Sequence, residues 1–112
     1  MRTCITMSFN KEKERLKELL TASLSVDVYN ESTLEVLNEC YKEYSTIIKS
    51  LVKKQPNIFG NLNKYDLSDI KNNKRYTKES FSDEAREKNF IVYKDSIVHA
   101  VERTIEYITD YL

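Results

Sequence analysis

The run STLEVLNECYKEYSTIIKSLVKKQP, from Ser32 to Pro56, decides the fold. It opens on Ser32-Thr33-Leu34-Glu35, the pattern of a capping box. In that arrangement the serine side chain accepts from a free backbone N–H and the glutamate reaches back to the serine's own N–H. Leu37, Tyr41, Tyr44, Ile48 and Leu51 then recur at spacings of four and three, flanked by Leu34, Cys40, Ile47 and Val52. Asn38, Glu39, Lys42, Thr46 and Lys49 keep the opposite face polar. Such a stripe is the buried side of an α-helix, predicted here over 33–54. Pro56 biases Gln55 out of the helical region and stops it, while Lys53 and Lys54 complement the negative end of the helix dipole.

Working outward, Ser8 and Asn10 are good caps for a first helix over 9–24, with residues 1–7 expected to fray. Phe9, Leu16, Leu19, Leu20 and Leu24 share one side, and Lys11 to Glu18 supply a charged face. Residues 23–30 read as a connector, in which Leu24, Val26 and Val28 alternate. A third helix is expected over 82–111, beginning at Ser82 with Asp83 and Glu84 in its first turn. It carries two apolar seams. One is Ile91, Val98, Val101, Ile105, Ile108 and Leu112; the other is Tyr93, Ile97, Ala100, Thr104, Tyr107 and Tyr111. Together they cover roughly twice the arc of about 100° that a surface helix buries. The Ile/Val seam is taken as the covered one, and the Tyr seam is left open. Residues 57–80 look like an irregular basic connector, with a short helical turn at 67–71.

The expected architecture is therefore all-α, a compact bundle of three long helices, with a fourth if the connector folds. One core accounts for 112 residues. One glycine and one proline are too few turn formers for an all-β domain. Hydrophobic residues at 40% and charged residues at 32% are the balance of a folded chain. The 18 basic and 18 acidic side chains cancel, so no overall field steers the chain towards nucleic acid or an anionic membrane. No segment has the apolar length of a membrane span. Cys4 and Cys40 form neither a disulfide framework nor a zinc knuckle, which suits a cytoplasmic protein. Richness in Lys, Asn, Ile and Tyr, whose codons are AT-rich, points to a phage or a low-GC bacterium.

Few residues carry chemistry. No phosphate-binding glycine loop, nucleophile elbow or zinc-protease helix occurs. His99 is the single histidine. Asp95 and Glu102 share its face at i−4 and i+3, with Arg103 at i+4, and the row reads as a solvated helix face rather than a metal site. No cofactor or metal is expected. Helical ribonucleases of the HEPN group carry Arg, four to six residues, then His on a late helix, and pair across a dimer. Lys94-Asp95-Ser96-Ile97-Val98-His99 resembles that motif over two residues, with lysine in place of arginine. The resemblance implies a dimeric nuclease with His99 as general acid or base, the runner-up reading.

The stretch Lys71-Asn72-Asn73-Lys74-Arg75-Tyr76-Thr77-Lys78 combines cations with an aromatic. It suits an acidic protein surface, or phosphates with a base stacked on Tyr76. Tyr107 and Tyr111, at i and i+4, have the large apolar body and wet tip of interface residues and could support self-association of the last helix. The leading expectation is a small non-enzymatic module that contacts another protein, of the inhibitor, immunity or anti-defence type. In its plan of amphipathic helices the chain is similar to the bacteriocin immunity bundles, with no motif matched. The candidate contact residues are Lys71, Lys74, Arg75, Tyr76, Lys78, Tyr107 and Tyr111, with nucleic acid as the other partner class.

Overall fold

Helix formers fill this chain so thoroughly that only two short breaks exceed a single residue. The computed structural model describes the backbone of residues 2–111 and the side chains of residues 9–110. Helix α1 spans Arg2–Leu24, α2 Glu31–Lys54, α3 Pro56–Asn61, α4 Leu67–Lys78 and α5 Asp83–Tyr111, with a π-turn at Leu62–Asp66 joining α3 to α4. Among the described residues there is no strand, and no helix is long and apolar enough to cross a membrane. The all-α bundle is thus observed. The side chains of Cys4 and of the rest of the expected frayed segment lie outside the described ones. The backbone of α1 is helical ahead of the Ser8–Asn10 start, since no proline or glycine interrupts that stretch.

Helix α2 begins one residue before Ser32. Its cap is Asn30, whose side chain accepts from Thr33 N–H at 2.9 Å, while Asn30 N–H donates to Thr33 Oγ1 at 2.9 Å. Asparagine caps as well as serine, and Thr33 also donates to the Val28 carbonyl at 2.7 Å, which ties the connector to the helix. Leu37, Cys40, Tyr44, Ile47, Ile48 and Leu51 are buried as the stripe predicted. Gln55 alone is non-helical between α2 and α3. Pro56 ends one helix and starts the next, because proline at the first helical position loses no hydrogen bond.

The connector folds, against the reading of 57–80 as irregular. From Pro56 to Lys78 the chain is helical throughout and buries Phe59, Leu62, Asp66, Ile70 and Thr77. In the π-turn Leu67 N–H reaches back to the Leu62 carbonyl, five residues away, and the extra residue rotates α4 relative to α3. Two of the inward positions are polar, which broke the apolar period in the sequence.

Helix α5 is central, packing against α4 on one side and α1 on the other. Both expected seams contribute to its buried arc, so the Tyr seam that the sequence left open is covered together with most of the Ile/Val seam, Val98 and Ile105 being half-buried. The seam Tyr93, Ile97, Ala100 and Thr104 is buried, with Val101 and Ile108 beside it, whereas Ile91 stands 51% exposed. Leu112 is outside the described residues. The rotation is set by polar partners inside the core. Tyr93 donates to Asn38 Oδ1 at 2.7 Å, and the Tyr44 hydroxyl meets Thr104 Oγ1 at 2.9 Å, with Thr104 donating onward to the Ala100 carbonyl at 2.8 Å. Burial pushes both phenols above their ordinary pKa, so they stay protonated. Ala100 lets the neighbouring helices approach. An Ile/Val face offers no partner to Tyr44 or Asn38, and an unpaired buried hydroxyl costs about 1–3 kcal/mol.

Candidate functional site

Helix α4 is held by Ile70 and Thr77, both fully buried, with Thr77 donating to the Asn73 carbonyl at 2.9 Å. That fixes where its cations go. At 3.6 residues per turn, Lys71, Lys74, Arg75 and Lys78 fall within about 100° of one another on the outer side. No carboxylate among the described residues forms an ion pair with any of them. Lys74 lies over the Tyr41 ring at 5.4 Å and Arg75 over Tyr76 at 5.4 Å, contacts that hold each cation close to an aromatic face. Tyr76 is 48% exposed on the side away from the stripe. Beyond Lys78, in the turn to α5, Phe81 is fully exposed.

Five of the expected contact residues are therefore grouped on α4. Tyr107 is elsewhere. It is half-buried on α5, where Arg103 Nη2 donates to its hydroxyl at 3.3 Å and the guanidinium lies over its ring. The Tyr111 side chain lies outside the described residues. Arg103 also meets Asp66 at 3.3 Å, and its own pKa is raised, first by the Tyr107 contact and then by Asp66. Asp66 sits in the π-turn with one carboxylate oxygen lacking a partner. Burial pushes its pKa up, opposed by Arg103 and by His99.

His99 is exposed on a shallow groove between α4 and α5, with Asp69, Asp95 and Glu102 along it. No group of three or more histidine, cysteine or carboxylate side chains among the described residues is placed to hold a metal ion. Lys94, which would precede His99 in a nuclease pair, turns to the other side of α5 and donates to the Val26 carbonyl. The two residues of that resemblance are not brought together. Cys40 is buried core, its thiol pKa raised by desolvation.

Side chains that the sequence reading missed complete the basic surface. A pocket of about 290 Å³ opens where α2, α4 and the start of α5 meet. Lys74 and Lys78 from α4, Arg86 from α5, Asn38 and Leu34 from α2 and Tyr29 from the preceding loop line it. It continues past Asn38 and Lys74 to Tyr41, Lys42, Ser45 and Thr46. Arg86 is braced by Asp83 at 3.0 Å and the Ser80 carbonyl at 3.3 Å, and lies over the Tyr29 ring. The one signal available from sequence was Asn38 and Lys42, four apart on the polar face of α2. Nothing in the sequence places Tyr29 or Arg86 beside them. Comparison of the chain with family models, with curated proteins and with solved structures finds no match.

Proposed function

We propose that this chain is a non-enzymatic binding module that grips an acidic surface of another protein through α4, acting as an inhibitor, immunity or anti-defence type of regulator. The observation that carries the reading is the cation stripe itself: Lys71, Lys74, Arg75 and Lys78 on one side of a helix, with no carboxylate paired to them among the described residues. A cationic row that no carboxylate neutralises is complementary to an acidic counterpart. Phe81, fully exposed three residues past Lys78, adds an aromatic anchor of the kind that dominates interface energetics. A protein surface suits the stripe better than a nucleic acid. Glu35, Glu39 and Glu43 line a neighbouring groove on α2, and Asp95 and Glu102 line another on α5, so phosphates running on past α4 would meet carboxylates.

The test places a photo-crosslinking residue at Phe81 in cells of the natural host. One discrete protein adduct is expected, insensitive to nuclease and lost in Lys71→Glu/Arg75→Glu. Adducts that are nucleic acid, or a protein adduct untouched by the charge reversal, would sink the proposal.

A further inference from the structure

We infer that the pocket between α2, α4 and α5 is a binding site for a phosphate monoester group. Lys74, Lys78 and Arg86 line it, and none of its lining side chains is a carboxylate. Asp83, which pairs with Arg86 from outside, leaves a local excess of two positive charges, the charge of a phosphate dianion. A lone carboxylate would balance half of that excess. The amide of Asn38 supplies direction. Its oxygen is occupied by the Tyr93 hydroxyl at 2.7 Å, so the two N–H donors of the same amide are left for the pocket that Asn38 lines. Tyr93 is fully buried, which fixes the orientation of that amide. Tyr29 and Leu34 make the wall apolar and lower the competition from water.

The inference deepens the binding reading, since it names the group an α4 partner would present. The same chemistry has two sources: a phosphorylated side chain on that partner, or a free phosphate monoester. Charge-assisted hydrogen bonds from a fixed amide and two kinds of cation distinguish either from a diffuse attraction to α4.

The decisive variant is Asn38→Asp. It keeps an oxygen to accept from Tyr93 and replaces the amide donors with a second carboxylate oxygen. Free phosphoserine is titrated into isotope-labelled protein near neutral pH, following the backbone amide resonances of Leu34 and Thr77, which line the pocket and persist in every variant. A saturable shift is expected in the wild type, with affinity weakened about tenfold or more in Asn38→Asp and in Lys78→Gln. Lys71→Gln/Arg75→Gln lies outside the pocket and should weaken affinity severalfold less than Lys78→Gln alone does. Absence of a saturable shift in the wild type overturns the site. Equal weakening by the outer pair also overturns it, because a general cationic field would then be responsible. A phosphoserine peptide binding far more tightly than free phosphoserine, with its unphosphorylated form silent, assigns the group to a macromolecular partner. Equal affinities assign it to a small molecule. Phosphoserine binding alongside a crosslink test that fails would keep the pocket and remove the protein partner.

Discussion

On its α1 side, helix α2 presents Glu35, Glu39 and Glu43 to a groove of about 540 Å³ floored by Leu19, Ala22, Val36 and Cys40. On its α4 side it presents Asn38, Tyr41 and Lys42 to the basic pocket and its extension. One groove gathers four glutamates, counting Glu18 from α1, against the single cation Arg15. The other gathers Lys42, Lys74, Lys78 and Arg86, with Glu39 alone among carboxylates at its edge. The difference teaches that a formal net charge of zero describes the sum and not the surface. A helix that is polar over half its circumference can sort opposite charges onto its two flanks. Like charges at i,i+4 cost a helix a few tenths of a kcal/mol per pair, so the glutamate row does not stabilise α2. The two grooves share one wall, and perturbations of that wall separate what is common to them from what is peculiar to each.

The largest effect should come from removing the wall's support. Leu37 is fully buried beneath both flanks. Leu37→Ala should cost about 2–5 kcal/mol in urea unfolding, the sum of lost transfer energy and the cavity left behind. A loss below about 1 kcal/mol would mean that α2 is not packed as described, and the two grooves would no longer share a fixed partition.

The next effect concerns a carboxylate that belongs to neither groove. The glutamates beside α1 are solvated, whereas Asp66 is 8% exposed in the π-turn, facing Arg103, His99 and Asp69, with Tyr44 close by. Burial raises its pKa from the ordinary carboxylate value, so the folded chain holds the proton more tightly than the unfolded one. The stability this contributes is complete below the unfolded value, about 3.9, and is lost as pH rises through the raised folded value. Asp66→Asn stays neutral throughout. Its melting temperature relative to wild type should therefore climb between pH 3 and pH 7, by less than the Leu37 loss. A difference that stays flat or falls with pH would show that the Arg103 pairing outweighs desolvation.

Much of this organisation was written plainly in the sequence, and the parts that were not share a cause. The stripe Leu37–Tyr44–Ile48–Leu51 was legible because every member is apolar and packs on its own helix period. The α3–α4 run was not, because Asp66 and Thr77 stand at inward positions and Pro56 reads equally well as a stop or a start. The burial of the Tyr seam of α5 depended on partners for its hydroxyls, Asn38 and Tyr44, that lie 55 and 60 residues away along the chain. The cations of α4 were visible as a cluster, but their shared direction required the helix. Arg86 and Tyr29 reach the pocket from two different connections, and no local pattern announces that meeting.

The smallest expected effect is the sharpest on the comparison itself. Arg15 meets Glu43 at 2.7 Å, yet both side chains are close to half exposed. Exposed pairs of this kind contribute about 0–1 kcal/mol, so Arg15→Ala should lower stability by no more than that, and by less in high salt. It also strips the acidic groove of its one cation, which makes that flank of α2 more negative. The basic pocket lies across a helix about 10 Å wide, beyond the Debye length of about 8 Å at physiological ionic strength. Phosphoserine affinity should then be unchanged in Arg15→Ala at physiological salt and should weaken only in dilute buffer. Weakening that persists at physiological salt would mean the two grooves are coupled through α2 itself, by a shift of the helix rather than by its field.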